Sequence, residues 1–271
     1  MEKIVLITGS TDGIGRATAL ELARRGVHVI LHGRDRGRGT RVLGELKKAT
    51  GSDSLDLFIA DFRSRPQIIG LARDISSRYD HLDVLINNAG TYKRERIITS
   101  DGLETTFAVN VLAPFLLTHL LLPQLEEGVP SRVVNVASIA HRSVSVIDWG
   151  NLQGERYYDA YKAYSLSKFA DIAFTYALAR RLLHTDVTVN CLHPGVIDTK
   201  LLHAGFPGLT GKPPSEGARI PVYLALSERV SRISGKYFEE SEIPTDSSRL
   251  TYDEGVQERL WRVAVELTGT A

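Results

Sequence analysis

"KIVLITGSTDGIGRATALELARRG", residues 3 to 26, joins a β-branched run to a helical pattern through a turn holding Gly9, Gly13 and Gly15. Glycines at these points allow a tight turn and close approach of backbone to a ligand. The helix that follows offers free N–H groups and a partial positive charge to a pyrophosphate. A glycine-rich turn alone is weak evidence, but a strand before it and a helix after it supply the context that a dinucleotide site needs. Candidate contacts therefore run from Gly9 through Ser10, Thr11, Asp12, Gly13 and Ile14 to Gly15.

Further along, "HVILHG", "LDLFIA", "LDVLINN", "RVVNVAS" and "VTVNCL" alternate with helix-forming stretches. That alternation predicts βαβ units: an α/β protein with a doubly wound parallel sheet and helices on both faces. Neither a repeat nor a linker divides the 271 residues, so one domain over 1–271 is expected. The Gly/Pro-rich segment 203–217 reads as a long surface loop covering a site, within a substrate-loop region at about 199–220.

Composition narrows the function. With 43% hydrophobic and 24% charged residues the chain is an ordinary globular one, and a net charge of +1 offers no broad basic field. Nucleic acid and anionic membrane are excluded as partners on that ground, and a small molecule is expected instead. The first residues enter a strand directly, without the pattern of a secretory signal, and the apolar stretch "FAVNVLAPFLLTHLLLPQL" is broken by Asn110, Pro114, Thr118 and His119. The lone Cys191 reads as a buried strand residue, and a cytoplasmic location is expected. Eight histidines show no ligand spacing, so no metal site is expected.

The glycine spacing of "TGSTDGIG", followed in order by "NNAG" at 87–90, Asn110, Ser138, Tyr164 with Lys168, and "HPGVIDT" at 193–199, resembles the short-chain dehydrogenase/reductase family. The likeness covers residues 3 to about 240 and implies a Rossmann-type fold. It also implies Asn110, Ser138, Tyr164 and Lys168 as the catalytic set. In that family the tyrosine exchanges a proton with the substrate oxygen, the lysine also binds the nicotinamide ribose, the serine orients the substrate oxygen, and the asparagine helps hold a relay water. The same resemblance places Asn88, Ala89 and Gly90, with Pro194, Gly195, Val196 and Thr199, among the cofactor contacts. His193 reads as a backbone-supporting side chain in that loop.

The pair spaced i, i+4 shares one helical face, and a nearby ammonium favours phenolate over phenol, whose ordinary pKa is about 10. A rival pair, Tyr158 and Lys162, has the same spacing. If both pairs lay on one helix, a six-residue offset would turn them about 240° apart, so only one could face the cofactor. Tyr164 is preferred, because "YSLSKFA" resembles the family's active-site run and precedes a packed helical pattern. The segment between Ser138 and Tyr164 is long and resembles the retinol-dehydrogenase and carbonyl-reductase branch. It is expected to wall the substrate pocket, with Trp149, Tyr157 and Tyr158 either lining that pocket or, as aromatics in an insertion more often do, packing the segment down.

Cofactor choice turns on "HVILHGRDRGRGTR". An acid at the strand end would bind a ribose 2'-hydroxyl, whereas arginine suits a 2'-phosphate. Gly33 stands where the acid is expected, Arg34 follows, and Asp35 comes next, so NADP(H) is preferred, with NAD(H) as the alternative. Arg16 is a candidate second charge, while Arg36, Arg38 and Arg41 read as a solvated face. Asp61, with Phe62 beside it, is expected at the adenine or as a loop cap. The reading is of an oxidoreductase interconverting a carbonyl and an alcohol on a moderately apolar small molecule. A non-catalytic nucleotide-binding regulator and a sugar-nucleotide epimerase are the alternatives. The resemblance further implies subunit contacts through the apolar helix near 107–125 and the tyrosine helix, hence a homo-oligomer, a dimer or tetramer; the alternative is that the helix merely covers the sheet.

Overall fold

A computed structural model describes residues 2–270. The chain runs β1 (Ile4–Ile7), α1 (Gly13–Arg24), β2 (His28–Gly33), α2 (Arg36–Thr50), β3 (Leu55–Ile59), α3 (Arg65–Ser76) and β4 (Val84–Asn87). It continues through α4 (Thr105–Phe107), a π-helical turn (Ala108–Leu112), α5 (Ala113–Leu120), α6 (Leu122–Glu127), β5 (Ser131–Val136), a 3₁₀ turn (Ile139–Ser143), α7 (Ala160–Arg181) and β6 (Val187–His193). It closes with α8 (Lys200–Gly205), α9 (Pro214–Gly217), α10 (Arg219–Leu226), β7 (Tyr237–Glu239), β8 (Pro244–Thr245) and α11 (Glu254–Thr268).

The strands form one sheet in the order β3-β2-β1-β4-β5-β6-β7-β8, parallel as far as β7. Runs such as "IVLI" and "VTVNCLH" are buried almost throughout because helices cover both faces. The apolar core accordingly divides into two main clusters. All six strands expected from the sequence are present. β7 and the antiparallel β8 were not anticipated: three and two residues long, they carry too little pattern to read.

Strand order reverses between β1 and β4, which opens a crevice at the carboxyl ends of the strands. A polar ladder crosses beneath that edge. Asn87 on β4 donates to Thr118 of α5 at 3.0 Å and to Asn135 of β5 at 2.8 Å, and Asn135 donates to Thr175 of α7 at 2.9 Å. Helices α5 and α7 are thereby registered on the sheet.

Three expectations change. The apolar segment near 107–125 is not one regular α-helix: the helical path from Thr105 to Leu120 passes through a π-helical turn just before Pro114, and it breaks at Leu121, after which Pro123 lies in the first turn of α6. The segment 203–217 is not structureless, since it carries the end of α8 and all of α9, and Lys212 bridges Ile197. Finally, α11 lies across α5 and α7, where Trp261 meets Phe115 and Phe174 at centroid distances of 5.0 and 5.5 Å. The chain's own α11 therefore packs on the face expected to make subunit contacts.

Candidate active site

A cavity of about 890 Å³ occupies the crevice, running from the glycine turn past Tyr164 to α8. At its floor, Gly9 and Gly13 adopt left-handed backbone conformations, φ +65° and +50°. A Cβ on Gly9 would stand 2.8 Å from the Ala89 Cα, and one on Gly15 would strike the Asn88 amide. The turn and the loop after β4 are thus in backbone contact. Asn88 braces them, donating to the carbonyls of Thr8 at 2.8 Å and Gly9 at 3.2 Å. Asp12 caps α1 by accepting from Gly13 N–H at 2.9 Å. Among the described residues no acceptor pairs with the N–H groups of Ile14 and Gly15. The turn therefore fits a pyrophosphate: the Ile14 and Gly15 N–H groups are free to donate and its glycines leave the room that side chains would fill.

A second brace escaped the sequence reading. His32 accepts from Gly9 N–H through Nδ1 at 3.2 Å, donates from Nε2 to the Ala60 carbonyl at 3.0 Å, and stacks on Phe62 at 4.3 Å. Burial pulls its pKa down to about 4, so the ring is neutral and ties the glycine turn to the end of β3. A polar residue inside the apolar run "HVILHG" was the available signal. Ser10, by contrast, is turned inward: its hydroxyl is occupied by the His32 backbone, accepting from N–H at 2.9 Å. It stands behind the turn rather than on the ligand side.

At the adenosine end Arg34, Asp61 and Phe62 line the cavity, and Arg38 joins them. Arg38, expected in a solvated face, sits in the first turn of α2, within 3.7 Å of Asp12. Arg16 points elsewhere, paired to Glu45 at 2.9 Å, and Arg41 lies 3.9 Å from the same carboxylate. Asp35 is occupied as the cap of α2, accepting from Arg38 N–H at 2.7 Å. Asp61 accepts from Arg63 N–H at 3.0 Å and pairs with its guanidinium, which holds the carboxyl below its ordinary range. Its loop-cap reading is therefore realised beside the cavity.

At the opposite end Ser138, Tyr164 and Lys168 line the same cavity. Ser138 follows β5, just past Val136, and caps the 3₁₀ turn, accepting from Ala140 N–H at 3.2 Å. Lys168 Nζ, buried, donates to the Val136 carbonyl at 2.9 Å and to Asp171 Oδ2 at 2.8 Å. Burial raises the Tyr164 pKa, against which the Lys168 charge and the Ser138 hydroxyl both pull downward. The lysine acts in the expected direction, but in the protein alone burial outweighs it.

Asn110, in the π-helical turn, is buried behind the cavity wall. Its amide donates to the Thr91 carbonyl at 3.0 Å and to Ser167 at 2.9 Å, and accepts from Thr91 N–H at 2.8 Å. It fixes the backbone after Gly90.

The rival tyrosine does not share the helix. Tyr158 precedes the Asp159 cap of α7, and its hydroxyl donates to the Lys93 carbonyl at 3.0 Å and lies 3.3 Å from Glu104. Lys162 is exposed near the Tyr157 ring.

Pro194, Gly195, Val196 and Thr199 line the cavity, and Thr199 caps α8. His193 lines it too, with Nδ1 buried and unpartnered and its pKa lowered to about 4 by burial. Lys200 pairs with Asp12, linking α8 to the glycine turn. The wall nearest Tyr164 is aromatic. Tyr92 lies 5.5 Å from it and Phe206 6.3 Å, with Tyr161 6.0 Å from Phe206. Trp149, Tyr157 and Tyr158 are not part of this wall: Trp149 lies under Arg259 of α11 and Tyr157 is exposed. Among the described residues no group of three or more His, Cys, Asp or Glu could hold a metal ion.

A doubly wound sheet with a glycine turn at its switch point, and a tyrosine-lysine pair on the same carboxyl edge, defines a dinucleotide-dependent α/β oxidoreductase. The model of the short chain dehydrogenase family matches residues 3–208, and the chain belongs to that family. Human retinol dehydrogenase 11 is 39% identical over 275 residues, covering 98% of this chain and 86% of that protein. Human retinol dehydrogenase 13 is 38% identical over 284 residues, covering 98% and 85%. An uncharacterized protein from Mycobacterium paratuberculosis superposes with TM-score 0.83 at 31% identity, covering 99% of this chain and 94% of that one. A short chain dehydrogenase from Escherichia coli CFT073, complexed with NADPH, gives TM-score 0.74 at 28% identity, covering 88% and 96%. The chain is thus a member of the retinol-dehydrogenase-like branch, an NAD(P)-dependent oxidoreductase acting on CH–OH or C=O groups.

Proposed function

We propose that the protein is an NADP-preferring enzyme that interconverts an aldehyde or ketone with its alcohol on a moderately apolar small molecule. Residues 1–271 would act as one catalytic unit, with 199–220 as its substrate loop. The observation that carries this reading is the meeting of Ser138, Tyr164 and Lys168 in the cavity that also holds the glycine turn, Arg34 and Arg38.

The glycine turn would hold the pyrophosphate and Arg34 the 2'-phosphate. Gly90, Pro194, Gly195, Val196, Thr199 and Lys168 would hold the nicotinamide half. When bound, the reduced nicotinamide supplies a hydride to the substrate carbon. The chain's own residues manage the proton. Ser138 donates a hydrogen bond that orients the carbonyl oxygen, Tyr164 transfers its phenolic proton to that oxygen, and Lys168 stabilises the phenolate left behind. In alcohol oxidation the same groups run in reverse. Asn110 holds the Gly90–Thr91 backbone that shapes this end of the cavity.

Tyr92, Tyr161 and Phe206 give that end an apolar, aromatic surface, which supports a carbonyl attached to a substantial apolar group. The names of the retinol dehydrogenases point to the same class. NADP preference is supported by Arg34, Arg38 and the lack of an acid at Gly33, and by the NADPH-bound relative. A cytoplasmic setting accords with the free, buried Cys191.

The test follows absorbance at 340 nm with NADPH and with NADH across aldehydes and ketones, including retinal. Tyr164→Phe is expected to cut turnover by about 10² to 10⁴-fold while nucleotide affinity stays within a few-fold. Arg34→Ala is expected to weaken NADPH use about tenfold and to leave NADH use alone. Undiminished turnover in Tyr164→Phe would refute the assignment of the acid.

A further inference from the structure

Lys168 does not meet the cavity as an isolated cation. One turn further along α7, the Asp171 carboxylate lies 2.8 Å from Nζ, and both side chains are buried, 6% and 8% exposed. The Val136 carbonyl takes a second Nζ proton at 2.9 Å from the end of β5. Two of the three ammonium protons are therefore fixed by protein acceptors on one side, which leaves the third for the cavity. Among the described residues Asp171 has no other cation within ion-pair distance.

We propose that Asp171 is a positioning residue: its buried carboxylate, with the Val136 carbonyl, keeps the Lys168 ammonium charged and aimed, and sets how strongly that charge is felt at Tyr164. This rests on Tyr164 and Lys168 being the acid–base pair. A buried ammonium without a counter-charge tends to lose its proton, and a carboxylate beside it opposes that loss. The same negative charge partly cancels the lysine field at the phenol. Asp171 thus trades phenol acidity for a permanently charged lysine.

The surrounding groups agree in sign. Burial pulls Lys168 down, but Asp171 and Tyr164 outweigh it and its pKa is raised. At Tyr164 the carboxylate pushes upward, against Lys168 and Ser138, with Tyr161 adding to the upward push. The titratable group facing Asp171 from β6 is Cys191, whose thiol is raised by burial. Tyr176 of α7 and Tyr237 of β7 stand beyond that thiol, both raised by burial. Among these groups, Lys168 supplies the positive charge.

Asp171→Asn keeps an acceptor for Nζ and removes the charge. Taking away one negative charge makes both partners give up their protons more readily, so every limb of the profile moves the same way. For alcohol oxidation, both the acid and the alkaline limb of the pH dependence of kcat/KM are expected to shift down by roughly one unit. A second readout needs no nucleotide. Phenolate absorbance at 295 nm, taken as the difference between each protein and its Tyr164→Phe counterpart, should rise at lower pH in Asp171→Asn. Asp171→Glu, which keeps the charge, should stay close to wild type in both measurements. If Asp171→Asn does not fold, Asp171→Ser supplies the same comparison. A superimposable pH profile and phenolate titration in the uncharged variant, with Tyr164→Phe inactive, would overturn this inference alone. Full turnover in Tyr164→Phe would instead remove the reading beneath it.

Discussion

Thr11 lies over Gly33 so closely that a Cβ built on the glycine would stand 2.6 Å from the threonine methyl carbon. The end of β2 is where an acid would receive a ribose 2'-hydroxyl, and here the glycine turn itself occupies that space. Gly33→Asp is therefore expected to weaken NADPH and NADH alike by about tenfold or more, rather than to convert the enzyme to NADH. Adding Thr11→Gly should restore NADH binding in the double variant. Fluorescence titration of both nucleotides reads the outcome, and a simple switch to NADH in the single variant would contradict the packing.

Arg38 and Arg16 make a matched pair of controls. Arg38 lines the cavity, whereas Arg16 does not and is paired to Glu45. Arg38→Ala is expected to raise the NADPH dissociation constant about tenfold with little change for NADH, since a charge-assisted hydrogen bond contributes about 1.5–3 kcal/mol. Arg16→Ala removes one exposed ion pair, worth under about 1 kcal/mol, and should leave both constants where they are.

His32 makes part of the fold's stability depend on pH. Its folded pKa is about 4 against an ordinary 6.5, so the unfolded chain binds the proton more readily between those values. Its contribution is complete above pH 6.5 and declines as pH falls toward 4, by at most about 3 kcal/mol. Asp171 acts in the opposite sense: raised to about 6, its carboxyl contributes stability at low pH that is lost as pH rises through that value. A comparison with His32→Asn isolates the histidine. The fall in Tm from pH 6.5 to 4 should be shallower in the variant, and parallel curves would exclude the assigned role.

Phe206 closes the aromatic wall at the end of α8, with Tyr92 at 5.6 Å. Phe206→Ala should raise KM for aromatic or polyene carbonyls about tenfold, while kcat and nucleotide affinity change little. Short aliphatic aldehydes, which cannot span to the wall, should respond far less. Equal effects on both substrate sets would mean that the ring supports the loop and does not meet substrate.

The sheet was legible because a parallel sheet covered on both faces writes continuous apolar runs into the sequence, as in "VTVNCLH". The glycine turn was legible for a related reason: Gly9 and Gly13 need backbone shapes that few other residues adopt. What stayed hidden depends on contacts between distant segments. The Ser10 hydroxyl looks like a ligand contact until His32 is seen to occupy it, 22 residues away. Arg38 gains its place from the direction in which α2 leaves β2. Tyr92 and Phe206 reach Tyr164 from distant segments, whereas Trp149, Tyr157 and Tyr158, much closer to it in sequence, pack elsewhere. Trp261 covers α5 and α7 across more than 80 residues of chain, a distance over which no local pattern can act.

The ladder from Thr118 through Asn87 and Asn135 to Thr175 separates the molecule into parts that can change at different rates. Sliding α7 along the sheet would leave Asn135 without an acceptor in an apolar interior, so the helix carrying Tyr164 and Lys168 is fixed in height relative to β4 and β5. Phe206 and its neighbours hang on short, late segments that, among the described residues, make no such side-chain bonds to the sheet. Residues of α8 and the loop beyond it can therefore be rewritten while the Tyr164–Lys168 geometry stays unaltered.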